Sequence, residues 1–334
     1  MPKTVQFDTL GGPDVLFFVD KIVPPPQAGE VQIAVKAAGL NRAELLFIAG
    51  QYLIDPVLPS GAGVEGAGEI VAVGPEVKGF SVGDRVAITP GFDQLKYVTL
   101  GEVVNMAATA LEPIPDAMSY IDAAAFWMAF GTAYGLLVQK GGLTKGAGQS
   151  VVVNAASSSV GTAAFQIIKA HGGTSIATTR TDDKVAALRE AGADHVIVTE
   201  REDVVARITE ITDGRGFDIA CDAVMGAEGA TLAAAAGADA TLVAYGLLSG
   251  EVPALPFEAM IGRGLTVTGF HLVWQLLDHP ARRAAAVAHL SDGLARGDYR
   301  PVIDTVFPFD QVADAYRYMA SNAQLGKILV EMDT

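Results

Sequence analysis

The sequence predicts an α/β chain: a doubly wound parallel sheet in its later part, preceded by a β-rich domain. Three observations carry this. From about residue 120 onward, short β-branched strands alternate with helix-length segments, the pattern of a parallel sheet covered on both faces. Before that point, strand candidates follow one another between glycine- and proline-rich turns. The 334 residues also exceed one ordinary core, and a prior of roughly 150 residues per domain predicts two domains.

In the first part, Val31-Gln-Ile-Ala-Val35 alternates and follows the stiff Pro24-Pro25-Pro26 turn. Glu69 to Val73 reads as a second strand closed by Gly74-Pro75, and Gly83-Asp84 as a turn feeding a third over Arg85–Ile88. The glycines of Gly61–Gly68 suit tight turns and close backbone packing.

The texture changes with an Ala-rich helix predicted over Tyr120–Val138. Strands follow at Ser150–Asn154, Thr174–Thr178, His195–Val198, Phe217–Ala220, Ala240–Ala244 and Leu265–Thr268. Helices are predicted from Val160 to Ala170 and near 182–191, 202–212 and 226–236. A last strand, Lys327–Glu331, is expected to fold back onto the first domain. No internal repeat is visible.

Composition narrows the function. Half of the residues are hydrophobic and 18% are charged, a globular balance. The formal net charge of −15 argues against nonspecific nucleic-acid binding, which relies on basic residues neutralising phosphates. An anionic cofactor therefore needs a local cluster of donors. No uninterrupted apolar run approaches the roughly 20 residues that span a bilayer, and the first residues lack the apolar core of a signal peptide. The single cysteine, Cys221, rules out an intrachain disulfide and a cysteine-based structural zinc site; a reducing cytoplasm is the expected location.

The informative stretch is Ser150-Val-Val-Val-Asn-Ala-Ala-Ser-Ser-Ser-Val-Gly161. A buried strand ends in small residues and a helix begins, so helix N-terminal N–H groups and the helix dipole can face a pyrophosphate. The expected contacts are Ser157, Ser158, Ser159, Val160 and Gly161. Only the last glycine of the usual fingerprint is present, so the turn alone is also compatible with simple packing. The next strand ends Thr178-Thr179-Arg180-Thr181, with Lys184 one turn on. An NAD site would carry an acid here for the ribose 2′-hydroxyl; a guanidinium instead binds a 2′-phosphate. Arg180, supported by Thr179, Thr181 and Lys184, selects NADPH; the alternative reading of Arg180 and Lys184 is as solvated surface charges.

The stretches Ala38-Gly-Leu-Asn41-Arg42, Gly50-Gln-Tyr52, Gly63-Val-Glu65-Gly-Ala-Gly68, Val82-Gly-Asp-Arg-Val86, the 150–161 turn, Gly192-Ala-Asp194 and Gly326-Lys-Ile-Leu-Val330 form one pattern in order and spacing. By that pattern the whole chain resembles the zinc-independent quinone oxidoreductases of the medium-chain dehydrogenase/reductase superfamily, the group that includes zeta-crystallin and enoyl reductases. These stretches span nearly the full length. The resemblance implies a GroES-like catalytic domain over 1–122, completed by about 300–334, and a Rossmann NADP-binding domain over 123–299. It also implies a homodimer formed through the sheet edge near Leu265–Gly269.

The chain departs from the zinc-dependent branch at each ligand position: Asn41 replaces a cysteine, Val64 a histidine, and the third position falls near Met128. A catalytic zinc needs about three protein ligands, so no metal is expected. Carbonyl polarisation then falls to hydrogen bonds, and Asn41 and Tyr52 match the family's pair beside the nicotinamide. Positions carried over as further cofactor contacts are Thr132, Thr199, Val224, Tyr245, Gly246, Phe270, His271, Leu272 and Lys327. Phe47, Trp127, Phe130, Phe270 and Trp274 are candidates to line an apolar substrate cleft, each of which core packing would equally explain. Glu65 is expected in a structural hydrogen bond or ion pair. The expected substrate is a small apolar electrophile: an enone, enal or quinone. Ketone or aldehyde reduction, and an NADPH-binding protein without turnover, are the rival readings.

Overall fold

Small and β-branched residues make up about half of the first 113 positions, and the computed structural model, which describes residues 1–254 and 256–332, has strands as the main regular element of that stretch. β1 (Lys3–Phe7) buries Val5 and Phe7 and pairs antiparallel with β2 (Phe17–Asp20). β3 (Glu30–Gly39) runs ten residues, further than the Val31–Val35 alternation suggests. Its last residues, Lys36–Gly39, have little strand preference of their own.

After β3 comes a short helix, α1 (Arg42–Ile48), then β4 (Ser60–Gly61), which pairs with β1. The sheet continues with β5 (Gly66–Val73), β6 (Arg85–Ile88), β7 (Val103–Ala107) and β8 (Leu111–Pro113). β5 and β7 both pair antiparallel with β3.

α2 (Tyr120–Tyr134) continues through a wider π-type turn, Gly135–Lys140. Together they form a 21-residue helix of mean hydropathy 1.4, long and apolar enough to cross a bilayer by those measures alone, although no uninterrupted apolar run of that length was expected. Its most apolar window is 67% buried inside the protein, and Ala123, Ala124 and Phe126 are core residues.

The second sheet follows: β9 (Ser150–Val153), α3 (Ser159–His171), β10 (Thr174–Thr179), α4 (Val185–Glu190), β11 (His195–Val198), α5 (Val204–Ile211), β12 (Phe217–Asp222), α6 (Gly226–Ala234), β13 (Ala236–Ala244), α7 (Phe257–Arg263), β14 (Thr266–Gly269) and α8 (Pro280–Arg296). Its order is β11-β10-β9-β12-β13-β14, every neighbouring pair parallel. This is the doubly wound sheet the alternation predicts, with the chain reversing direction across the sheet at β9.

The chain then returns with β15 (Ile303–Pro308), α9 (Val312–Ala320) and β16 (Lys327–Glu331). β16 lies between β15 and β3, antiparallel to β3 with Leu329 opposite Gly39. That pairing on one side, and β5 on the other, holds the far end of β3 extended.

Two compact units result: Met1–Met128 with the residues from Ile303 on, and Ala129–Val302. The divide thus falls within α2 and after Val302. The core of the first unit gathers Phe7, Ile33, Phe47, Ile70, Tyr316 and Val330. That of the second gathers Val152, Ile176, Ile197, Phe217 and Leu242.

Candidate active site

Two sets of polar residues stand out, one in each unit. In the first unit, Asn41 precedes α1 and Glu44 occupies the third position of that helix. The Glu44 carboxylate reaches back to accept from the Asn41 backbone N–H at 2.6 Å, and its other oxygen accepts from Val64 N–H at 2.9 Å. This is half of the capping-box geometry that an Asn-x-x-Glu spacing encodes. Glu44 is buried, and burial pushes its carboxyl up to about 7, opposed by its hydrogen bonds and the Lys327 charge.

The side chain of Asn41 is held by a buried ion pair. Lys327 Nζ on β16 donates to Asn41 Oδ1 at 2.7 Å and to Glu65 Oε2 at 2.5 Å, with Lys327 and Glu65 1% and 0% exposed. Asn41 Nδ2 donates to the Gly39 carbonyl at 3.0 Å and to Glu65 Oε2 at 3.4 Å. Glu65 Oε1 accepts from Met128 N–H at 2.9 Å. A Cβ at Gly39 would lie 2.3 Å from the Ala124 carbonyl and 2.6 Å from Lys327 Cε, so glycine is what lets the ammonium tuck in. Glu65 is therefore an ion-pair partner, whereas Lys327, expected among the cofactor contacts, spends its ammonium on Glu65 and Asn41.

Tyr52 is half-buried against the first unit's core. Burial, and then the charge of Glu44, raise its hydroxyl above the ordinary tyrosine value. It stays protonated at neutral pH, a hydrogen-bond donor. Among the described residues no group of three or more His, Cys, Asp or Glu side chains could hold a metal ion.

In the second unit, the predicted nucleotide contacts gather at the carboxyl edge of the parallel sheet. Ser158 caps the thirteen-residue α3, its hydroxyl accepting from Gly161 N–H at 3.1 Å. A Cβ at Gly161 would lie 2.3 Å from the Ala156 carbonyl, so this one remaining glycine is demanded by close packing of helix on turn. Ser159 and Val160 are half-buried in its first turn. Lys184 Nζ donates to Ser157 Oγ at 2.9 Å, bringing an ammonium onto the turn.

Arg180 and Thr181 are exposed just past β10, and Thr199 N–H bonds the Thr179 carbonyl at 2.8 Å. The following acid, Asp182, is taken by a bidentate pair with Arg201. Arg180 also lies within electrostatic reach of Glu228, whose carboxyl is raised by burial and by Asp222 and lowered by Arg180.

Backbone bonds stitch the remaining strand ends together. Tyr245 N–H donates to the Asp222 carbonyl at 3.0 Å and Phe270 N–H to the Ala244 carbonyl at 2.8 Å, which sets Val224, Tyr245, Gly246, Phe270, His271 and Leu272 along the same edge. Thr132 belongs to this unit too, buried on α2. Asn41, Tyr52 and Lys327 belong to the other unit.

Two features escaped the sequence reading. Asn154 Nδ2 donates to Asp222 Oδ1 at 2.5 Å, and that oxygen also accepts from Val224 and Met225 N–H, each at 2.8 Å. Strand β12 runs two residues past Ala220 and ends on this buried acid. Glu44 was signalled by its spacing from Asn41.

Known proteins corroborate the architecture. Residues 27–116 match an alcohol dehydrogenase GroES-like domain, and residues 191–330 match a zinc-binding dehydrogenase domain. A quinone oxidoreductase of Pseudomonas aeruginosa is 32% identical over 330 residues, 99% of each chain. The Escherichia coli quinone oxidoreductase complexed with NADPH superposes with a TM-score of 0.86 at 28% identity, covering 98% of this chain and 99% of that one. The CurK enoyl reductase gives a TM-score of 0.87 at 25% identity over 99% of both. Similarity from end to end makes the chain an oxidoreductase of the quinone oxidoreductase-like family within the medium-chain dehydrogenase/reductases.

Proposed function

We propose that this chain is an NADPH-dependent reductase of activated alkenes or quinones that works without zinc. The basic pair beyond β10 carries the reading. Arg180 is exposed, Lys184 rests on the phosphate-type turn, and the next acid in sequence, Asp182, is engaged by Arg201. A 2′-phosphate suits such a site and a bare ribose hydroxyl does not. The NADPH complex of the E. coli relative supports the same cofactor.

The residues fit the nucleotide. α3 offers its dipole and N-terminal amides behind a turn of small side chains, with Gly161 allowing the close approach. When bound, NADPH supplies a hydride. The acceptor gains that hydride and one proton, and we assign the proton to Tyr52, whose hydroxyl stays protonated and stabilises the developing oxyanion by donating to it. Asn41 is a positioning residue in this scheme, because its carboxamide is engaged by Lys327, Gly39 and Glu65. Zinc has no place in it: of the former ligand positions Asn41, Val64 and Met128, only Asn41 carries a side-chain oxygen, and that oxygen accepts from the Lys327 ammonium, as does Glu65 Oε2 beside it.

Calorimetric titration with NADPH and NADH tests the reading. Tight NADPH binding should weaken about tenfold or more in Arg180→Ala, the loss of one charge-assisted contact, with NADH little changed. Equal binding of the two nucleotides, insensitive to the substitution, would refute the cofactor assignment. The inward-turned Asn41 carboxamide favours one other reading, an NADPH-binding protein without turnover. Its signature is tight NADPH binding with no oxidation by any enone or quinone.

A further inference from the structure

The five aromatic candidates for a substrate cleft do not share one environment. Phe47, Phe130 and Phe270 are core residues at 6%, 1% and 6% exposure, and Trp127 is half-buried edge-on to Phe126. Trp274 is 45% exposed. It is nonetheless held flat: its ring stacks on His271 with centroids 4.2 Å apart at 27°, and its backbone N–H donates to His271 Nδ1 at 3.3 Å. An Nδ1 that accepts means a neutral imidazole with its proton on Nε2. Burial acts in the same direction, lowering the His271 pKa.

The shelf is anchored from beneath. Phe270 and Leu272, flanking His271, sit where α2 and the π-type turn that extends it have no side chains: a Cβ at Gly135 would lie 1.9 Å from the Phe270 ring, and one at Gly131 would lie 3.3 Å from Leu272. Trp274 itself lies in a π-type turn, Val273–Leu277, an irregularity frequent at functional sites. The Gln275 carbonyl of that turn accepts from Gln139 Nε2 at 2.9 Å and from Arg282 Nη1 at 2.8 Å. The whole assembly follows β14 directly, at the carboxyl edge of the sheet where ligands of such sheets bind.

We infer that Trp274, backed by His271, is a specificity-determining residue that selects a planar ring, making a quinone rather than an aliphatic enal the preferred electrophile. The inference rests on the reductase reading above and narrows its substrate class. An electron-poor quinone gains by offset stacking on the electron-rich indole face, whereas an aliphatic chain gains only burial. The anchoring of the shelf means that little ordering remains to be done when the ring binds.

The test uses the full chain, which has two tryptophans. Labelling with 5-fluorotryptophan gives two fluorine resonances, and Trp274→Leu identifies one by its loss. With NADP+ present, so that no turnover occurs, a naphthoquinone should shift the Trp274 resonance saturably and trans-2-octenal should leave it in place. With NADPH, Trp274→Leu should lower the ratio of kcat/KM for naphthoquinone over octenal about fivefold to tenfold, the worth of one aromatic stack. Trp274→Phe, which keeps a ring, should retain most of the ratio. An unmoved resonance, or an unchanged ratio in Trp274→Leu, overturns the inference. So does a resonance that moves with protein concentration alone, which would assign Trp274 to a contact between copies. Failure of the parent reading looks different: no nucleotide binding and no NADPH oxidation by either acceptor. The fluorine shift, then recorded without nucleotide, still decides the stacking.

Discussion

Glu44 carries a cost that can be read as a pH dependence. In the unfolded chain its carboxyl titrates near 4.5, and in the folded chain near 7. The folded state therefore holds the proton more tightly. The stability this contributes is fully present below about pH 4.5 and is lost as pH rises through 7. Urea unfolding should show a declining stability of the first unit between pH 5 and 8. Glu44→Gln, which does not ionise, should flatten that decline, while its single acceptor oxygen leaves either the Asn41 or the Val64 N–H unmet and lowers stability at every pH by about 1–3 kcal/mol. A parallel decline in the variant would show that the ionised carboxylate is not the cause. At this scale the sequence was partly legible. Asn-x-x-Glu is a local pattern, and Glu65 was expected in a structural hydrogen bond or an ion pair. Its partner, Lys327, lies 262 positions away, and no local periodicity links the two. Nor could the sequence show that Asn41 turns its carboxamide inward, because Gly39 and Lys327 decide that together.

At the scale of elements, β14 is an edge strand whose outer side has no partner within the six-stranded sheet. Beside it in the chain, α7 exposes Phe257 and Ile261 at 66% and 71%, four residues apart on one helix face. We propose that two copies pair through this edge, which an exposed strand invites and two-fold symmetry satisfies. Light scattering should give twice the chain mass, and Phe257→Lys with Ile261→Lys should halve it without loss of secondary structure. A parent chain that is already monomeric at micromolar concentration contradicts the proposal. The strands of this sheet were the most legible part of the fold. Buried parallel strands read as continuous runs such as Val151-Val152-Val153, and small residues mark their ends. By contrast, Ala37, Ala38 and Gly39 carry no strand signal. They are extended because β5 and β16 flank them, and that information lies elsewhere in the chain.

Across the whole molecule, the two units differ in how the chain builds them. Ala129–Val302 is one continuous stretch, whereas the first unit takes its last strands from the C-terminal end. β16 is an interior strand of that unit's larger sheet, between β15 and β3. A chain truncated after Val302 should therefore protect Ala129–Val302 from protease while residues 1–128 are digested; a resistant 1–128 fragment would refute this order. The Lys327 ammonium bears on the same point. During synthesis Asn41 and Glu65 emerge well before the cation that fixes them, which follows Glu65 by 262 positions. A prematurely terminated product thus keeps a buried acid without its counter-charge, so an unfinished copy fails outright instead of persisting as a half-working enzyme.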